Sequence, residues 1–313
     1  MAVIGVDLGG TKLLGVLADG GEVKADAKQK TPTQGGPLAV VDAIVSLVKD
    51  LGGPKAADAV GVGAPGLIVP GTGVVARAPN LPGWVDPFAL GAALSDLLDG
   101  VPVAVDNDVN VAALAEHRLG AAKGEPDVLA VFVGTGVGGS VILDGELRRG
   151  PTGLAGEIGH VVVRPDGRLC GCGGRGHLEA YAGRAGMERR ARALEAKGRD
   201  TMLVDLAPAK RMTSSVFARA LAGGDVVAIE LIDEAVKALG VAIATAVTLL
   251  DLGVVIVGGG LADRLGAKFV GRIEQATRSQ LYGEAGLRVA PAALGDLSGA
   301  IGASLIAEKA VAR

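Results

Sequence analysis

Twice in this chain a short apolar run enters a turn rich in glycine and leaves it as a second apolar run. Val3-Ile-Gly-Val-Asp-Leu-Gly-Gly-Thr-Lys-Leu-Leu14 is echoed by Ala130-Val-Phe-Val-Gly-Thr-Gly-Val-Gly-Gly-Ser-Val-Ile-Leu143. Each reads as strand, Gly-rich turn, strand. Two such hairpins, about one domain apart, point to two halves that each offer backbone amides to a shared ligand. Any β-hairpin tends to have a glycine turn. A third turn, Gly258-Gly-Gly260 after the apolar strand Val254–Val257, favours the ligand. Successive N–H groups in such a turn form an anion-binding concavity, and glycine lets phosphate oxygens come close.

The remaining pattern alternates strands and helices. Helical spacing runs over 39–51, 88–98 and 109–119, a helix-rich region covers 178–250, and 299–311 has the small residues of a packed final helix. Strands are expected at 59–63, 101–105, 128–133 and 140–143, with a loop-dominated stretch over 69–84. This is the pattern of an α/β protein. At 313 residues, 49% of them hydrophobic, the chain is long enough for about two domains with a sizeable core. Aromatics are only 2% and the net charge is −3, with no Lys/Arg block, so nucleic acid and anionic membrane are poor partners. The longest uncharged apolar stretch, residues 238–250, is too short to span a bilayer. With no basic leader at Met1, the expectation is a soluble, cytoplasmic protein.

Both cysteines and two of the three histidines fall in one 18-residue window, as His160, Cys170, Cys172 and His177. Two thiolates and two imidazoles complete a tetrahedral zinc set, and a closed four-ligand site is normally structural. Ordinary burial of cysteine remains open on the residues alone, and C-x-C is tighter than the usual zinc spacing. A disulfide fits less well, because adjacent-but-one cysteines close a tiny strained ring and nothing else indicates an oxidising compartment. The intervening glycines suit a tight metal-binding turn, so zinc is expected, with Glu157 and Glu179 just outside the ligands.

The first turn supplies Thr11 and Lys12 as donors and Asp7 as a partner for Mg2+ held through water. It is not a Walker A loop, because Thr11 precedes Lys12 rather than following it. Gly134, Gly136 and Gly139 satisfy G-x-G-x-x-G, yet the dinucleotide fingerprint requires a helix next, and Ser140-Val-Ile-Leu-Asp-Gly145 reads as strand and turn. The protein-kinase motifs V-A-I-K, H-R-D and D-F-G are missing. Asp106-Asn107-Asp108 stands where a buried strand becomes a helix, a place where carboxylates often face a ligand crevice. On this segment alone, helix N-capping by Asn107 or Asp108 is the commoner explanation.

Five segments now stand in order: Asp7-Leu-Gly-Gly-Thr-Lys12, Asp106-Asn-Asp-Val-Asn110, Gly134-Thr-Gly-Val-Gly-Gly139, Gly156-Glu-Ile-Gly-His160 and Cys170-Gly-Cys-Gly-x-x-Gly-His-x-Glu179. The chain resembles the ROK family (repressors, open reading frames and sugar kinases) over essentially its whole length, and most closely the family's bacterial glucokinases. The resemblance implies an actin-like ATPase (ribonuclease H-like) α/β fold in two lobes. The smaller lobe would be residues 1–110 plus a C-terminal helix at about 299–313. The larger, 111–298, would carry the zinc loop and the nucleotide-binding turn.

The same resemblance assigns roles. ATP and a hexose would sit in the cleft between lobes, and Asp108 would be the general base toward the sugar 6-hydroxyl. Asn80 and Asn107 would hold neighbouring hydroxyls. Glu157, His160 and Glu179 would bind the far side of the ring, His160 also serving the structural Zn2+. Asp7, Gly9, Gly10, Thr11, Lys12, Gly134, Thr135 and Gly136 would surround the phosphates and Mg2+, with Gly258 and Gly259 near the adenosine. A homodimer or homotetramer is implied.

Two departures stand out: His177 occupies a position where the family usually has a third cysteine, and Asp106 one where it often has glutamate. Histidine is an acceptable zinc ligand. Glu179 lies only two residues further on, so sugar preference is open to change. Glucose is the expected substrate, with fructose, mannose, allose or an N-acetyl amino sugar as alternatives and polyphosphate as an alternative donor. A sugar-responsive regulator is the rival class, but the phosphate turn already begins at Asp7, leaving no room for a preceding helix-turn-helix.

Overall fold

The computed structural model describes residues 1–81, 83–283 and 286–311. The chain divides into two compact units. Unit 1 comprises Met1–Gly124, Leu147–Ala155 and Asp296–Arg313, and unit 2 comprises Glu125–Glu146 and Gly156–Gly295. Residues 111–124, 147–155 and 296–298, expected from the sequence in the larger lobe, fall in unit 1.

In unit 1, β1 (Ala2–Leu8) and β2 (Lys12–Asp19) form the expected hairpin, with Leu8 opposite Leu13. Strand β3 (Glu22–Lys30) continues it at the edge, followed by helix α1 (Gly36–Asp50). After β4 (Ala59–Ala64) the stretch read as loop contains a small antiparallel pair, β5 (Leu67–Val69) and β6 (Val74–Arg77). Helix α2 (Leu90–Leu97), strand β7 (Val103–Asn107) and helix α3 (Asp108–Arg118) complete the run. The sheet order is β3-β2-β1-β4-β7, with β4 parallel to both β1 and β7.

Both faces of this sheet are covered, which is why β1 and β4 are apolar without alternation. One face packs Ile4, Val6, Leu8 and Val62 against Ile44, Leu47, Leu90 and Leu94, all of them fully buried. Each such side chain stabilises the fold by about 1.5–3 kcal/mol. The other face carries the C-terminal helix, Ser298–Val311, set close to the backbone through glycines. A Cβ on Gly61 would stand 1.8 Å from the Ala303 carbonyl, and one on Gly302 would stand 1.7 Å from that of Val111. The last two residues of the expected 299–313 helix lie outside the described residues.

In unit 2, β8 (Val128–Val133) and β9 (Val137–Leu143) make the second hairpin, and the short β10 (Glu146–Arg148) follows, its first residue in this unit and its last two in unit 1. Helices α4 (Glu179–Ala182), α5 (Arg184–Glu195), α6 (Met202–Leu206), α7 (Ser214–Ala222) and α8 (Val226–Leu250) fill the expected helical region. Strand β11 (Val254–Gly258) leads into α9 (Gly260–Arg278), and β12 (Arg288–Pro291) closes the edge. The order is β10-β9-β8-β11-β12, with β8 parallel to β11 and Phe132 opposite Gly258. Helix α8 begins on Asp225, whose carboxylate accepts from the Ala228 amide at 2.6 Å, and it buries Leu231, Ile243 and Val247. Among the described residues no helix is long and apolar enough to cross a membrane.

Candidate active site

The hairpin β1–β2 sets Asp7 near the end of a buried strand and Lys12 at the start of the next. Its turn closes through the Gly9 amide, which donates to the Lys12 carbonyl at 3.0 Å. Thr31, just beyond β3, fastens the turn from outside: its hydroxyl donates to the Gly9 carbonyl at 2.6 Å and its amide to that of Thr11 at 3.2 Å. Thr31 is not legible in the sequence, because a lone threonine after a polar strand carries no signal. Thr11 is exposed, and Lys12 pairs with Asp296 at 2.7 Å. Gly10 approaches Asn80: a Cβ there would lie 3.7 Å from the Asn80 carbonyl, and Asn80 itself is exposed.

Burial pushes the Asp7 carboxyl up to about 7, and the nearby Asp108 and Asp296 carboxylates add to the rise while Lys12 opposes it. A cluster of hard oxygen donors whose charge is this poorly compensated suits a divalent cation such as Mg2+. The consequence for stability has a definite sign. Asp7 titrates near 7 when folded and near 3.8 as a free carboxyl, so its contribution is most favourable below 3.8 and is lost as pH rises through 7. Asp7→Asn removes this cost. The gain in thermal midpoint, measured without ligand or magnesium, is expected to be larger at pH 8 than at pH 5. An equal gain at both values would contradict the assignment.

Strand β7 delivers Asp106 and Asn107 directly into α3, which begins at Asp108. Asn107 is the N-cap: its Oδ1 accepts from the amides of Val109 at 2.9 Å and Asn110 at 3.2 Å, and its Nδ2 donates to the Gly66 carbonyl at 3.0 Å. Capping therefore accounts for the orientation of Asn107, and that orientation leaves Asp108 at the first position of the helix. Asp106 is buried and holds the segment together. Its Oδ1 accepts from the Asn107 amide at 2.8 Å and from Asn110 Nδ2 at 3.1 Å, while its Oδ2 takes Arg149 Nε at 2.7 Å and Nη2 at 2.5 Å. Arg149, like Thr31, is absent from the sequence reading. Only the pairing with Asp106, more than forty residues away in the chain, reveals it.

In unit 2 the turn between β8 and β9 has all three of its carbonyls engaged. Gly134 O accepts from the Arg184 amide at 3.1 Å, Thr135 O from Ala185 at 3.0 Å and Gly136 O from Gly134 at 2.9 Å. Among the described residues no carbonyl accepts from the amides of Thr135 or Gly136. A turn with its carbonyls tied back presents N–H groups, which is the requirement for holding an anion. Next to it, Gly259 lies against the Val133 backbone, where a Cβ would stand 2.8 Å from the Val133 nitrogen. The parallel register thus puts the Gly134–Gly136 and Gly258–Gly259 turns side by side at the ends of β8 and β11.

Glu179 joins this turn to the cysteine loop. Its Oε2 accepts from the Val137 amide at 3.1 Å, and Cys170 Sγ lies 3.7 Å from its Oε1. A Cβ on Gly136 would stand 2.1 Å from Glu179 Oε2, so a larger residue here would displace the Glu179 carboxylate. Glu157 faces His160 at 3.8 Å, and burial raises its pKa against the lowering effect of His160.

His160, Cys170, Cys172 and His177 come together, with one ligand atom from each lying within 4.8 Å of the others. Tetrahedral zinc with S and N ligands needs donor separations of about 3.3–3.8 Å. Cys172 Sγ and His177 Nδ1 stand 3.2 Å apart, near the short end of that range, and no separation within the set exceeds 4.8 Å. The donor set and its spacing fit zinc. Burial pushes the Cys170 thiol up to about 11, a bias that a coordinated cation reverses by deprotonating the thiol.

A family-wide comparison matches residues 3–310 to the ROK family. The glucokinase of Streptomyces coelicolor is 35% identical over 314 residues, covering 98% of this chain and 97% of that one. An N-acetylmannosamine kinase of Escherichia coli is 37% identical over 268 residues, covering 84% of this chain and 85% of that one. The crystal structure of a ROK family glucokinase from Streptomyces griseus in complex with glucose and AMPPNP aligns with a TM-score of 0.83 at 34% identity, covering 99% of this chain and 100% of that one.

Proposed function

The chain belongs to the ROK family, and from that membership we propose that it is a glucokinase, transferring the γ-phosphoryl group of ATP to the 6-hydroxyl of glucose. Its fold is the actin-like, ribonuclease H-like α/β type of the family's sugar kinases. The observation that carries the reading is whole-chain similarity to glucokinases, one of them solved with glucose and an ATP analogue.

Phosphoryl transfer asks a protein for positioning and charge neutralisation more than for covalent chemistry. In this reading Asp108 accepts the proton of the 6-hydroxyl as that oxygen attacks. Asn107 and Asn80 hold sugar hydroxyls, as do Glu157, His160 and Glu179. The exposed Thr11, Lys12 and the amides of Thr135 and Gly136 bind phosphate oxygens, and Gly258 and Gly259 lie by the adenosine. Magnesium, held near Asp7, supplies neutralising charge to the phosphates when bound. Zinc in the Cys2His2 loop is structural, since four protein ligands leave no open position. A homodimer or homotetramer belongs to the same reading.

Kinase action on an N-acetylated hexose is the second reading, favoured by the 37% identity to an N-acetylmannosamine kinase. A hexose panel with Mg-ATP separates the two. The proposal expects kcat/KM for glucose to exceed that for N-acetylmannosamine, and the reverse order would replace it.

A further inference from the structure

Arg184, at the start of α5, has no part in the roles given above, yet its guanidinium is bound to the nucleotide turn. Nη2 donates to the Thr135 hydroxyl at 3.1 Å, and Nη1 donates to the Met212 carbonyl at 3.3 Å. Its Nε is buried with no partner among the described residues. The backbone of the same residue ties down the Gly134 carbonyl at 3.1 Å. The turn has one closed side, where Gly136 meets Glu179, and one open side: a Cβ on Gly134 would meet no described atom within 4 Å. The exposed Thr135 side chain is held by the arginine.

A hydroxyl that accepts a hydrogen bond from an arginine has its own proton free to donate. Thr135 can therefore donate outward, as the Thr135 and Gly136 amides do, so that three donors serve one anion. The arginine adds positive charge behind them, and no carboxylate forms an ion pair with it among the described residues. Burial lowers its pKa and Arg211 lowers it further, against the opposing effect of Glu188. An arginine without a directly paired carboxylate beside a donor-rich turn is suited to a phosphate-bearing ligand.

We propose that Arg184 is a positioning residue for the phosphoryl donor: it orients the Thr135 hydroxyl toward the nucleotide phosphates and supplies positive charge behind the Gly134–Gly136 turn. This deepens the kinase reading and rests on it for the identity of the ligand.

The test is ATP binding, measured by calorimetry without sugar, alongside steady-state kinetics of the full chain. Arg184→Met is expected to raise Kd and KM for ATP about tenfold or more, with KM for glucose within twofold of wild type. Arg184→Lys, which keeps the charge but not the fork, should fall between the two. In the double variant with Thr135→Val the effects should be less than additive, because the arginine acts through that hydroxyl. An ATP Kd unchanged in Arg184→Met would overturn the proposal. So would equal losses for ATP and glucose in both single variants accompanied by a lower thermal midpoint, which would mark a purely structural residue. Failure of the wild-type protein to phosphorylate any sugar would count against the kinase reading. The ATP Kd series would still decide the role of Arg184.

Discussion

Asp108→Asn is expected to lower kcat by roughly 10²–10⁴-fold, the usual contribution of a general base, while glucose still binds with an affinity within a few-fold of wild type. The substitution keeps the side-chain shape and removes the negative charge, and with it the ability to take a proton. It should not unravel α3, because the N-cap is Asn107, whose Oδ1 already holds the Val109 and Asn110 amides. Nor does it touch Asp106, which is anchored separately by Arg149 and Asn110. A second consequence follows from electrostatics. Asp108 is one of the groups that raise the Asp7 pKa, so removing its charge should bring Asp7 down from about 7. A carboxyl-resolved NMR titration reads that shift directly. Near-normal turnover in the variant would remove Asp108 as the base.

The double variant Cys170→Ser, Cys172→Ser should abolish zinc binding and weaken glucose binding by about 10–100-fold, the usual cost of disturbing the groups that orient a site. Glu179 connects the two effects. One of its carboxylate oxygens accepts from Val137 at the nucleotide turn and the other lies 3.7 Å from Cys170 Sγ, so a loosened cysteine loop loses its hold on Glu179. His160 stands in both the ligand set and the expected sugar contacts, which couples metal loss to sugar affinity. Thermal stability should fall as well, since metal binding is part of the folding free energy of such loops. Stoichiometric zinc in the double variant, measured by atomic emission, would contradict the site. So would an unchanged glucose KM in metal-free protein.

Much of this architecture is legible in the sequence because the apolar strands and glycine turns are local signals. Val3–Val6, Leu13–Leu17 and Val254–Val257 all lie within strands. Strand β3 is silent because it lies at an edge, mostly exposed, and its Glu-Val-Lys-Ala-Asp-Ala-Lys-Gln-Lys run lacks a buried apolar face. Helix α9 is silent for a related reason: only Leu261, Ala262, Phe269, Val270, Ile273 and Thr277 are buried along 19 residues, so its apolar stripe is thin. The cysteine–histidine set is legible because its members lie close in the chain, and the structure brings their ligand atoms together. Thr31, Arg149 and Arg184 are not legible, since each acts on a partner at least 20 residues away and has no motif of its own. The capping role of Asn107 and the position of Asp108 beside it read ambiguously in sequence. Both descriptions apply to the one segment, with the cap on Asn107 and the carboxylate at the next residue.

Transfer of a phosphoryl group from ATP to glucose leaves two products, and identifying both of them tests it. Purified protein with Mg-ATP and glucose should yield ADP and glucose 6-phosphate in equal amounts, resolved by ³¹P NMR, with little ADP when glucose is omitted. ADP released at the same rate with and without glucose, or no sugar phosphate in the presence of ATP, would contradict it.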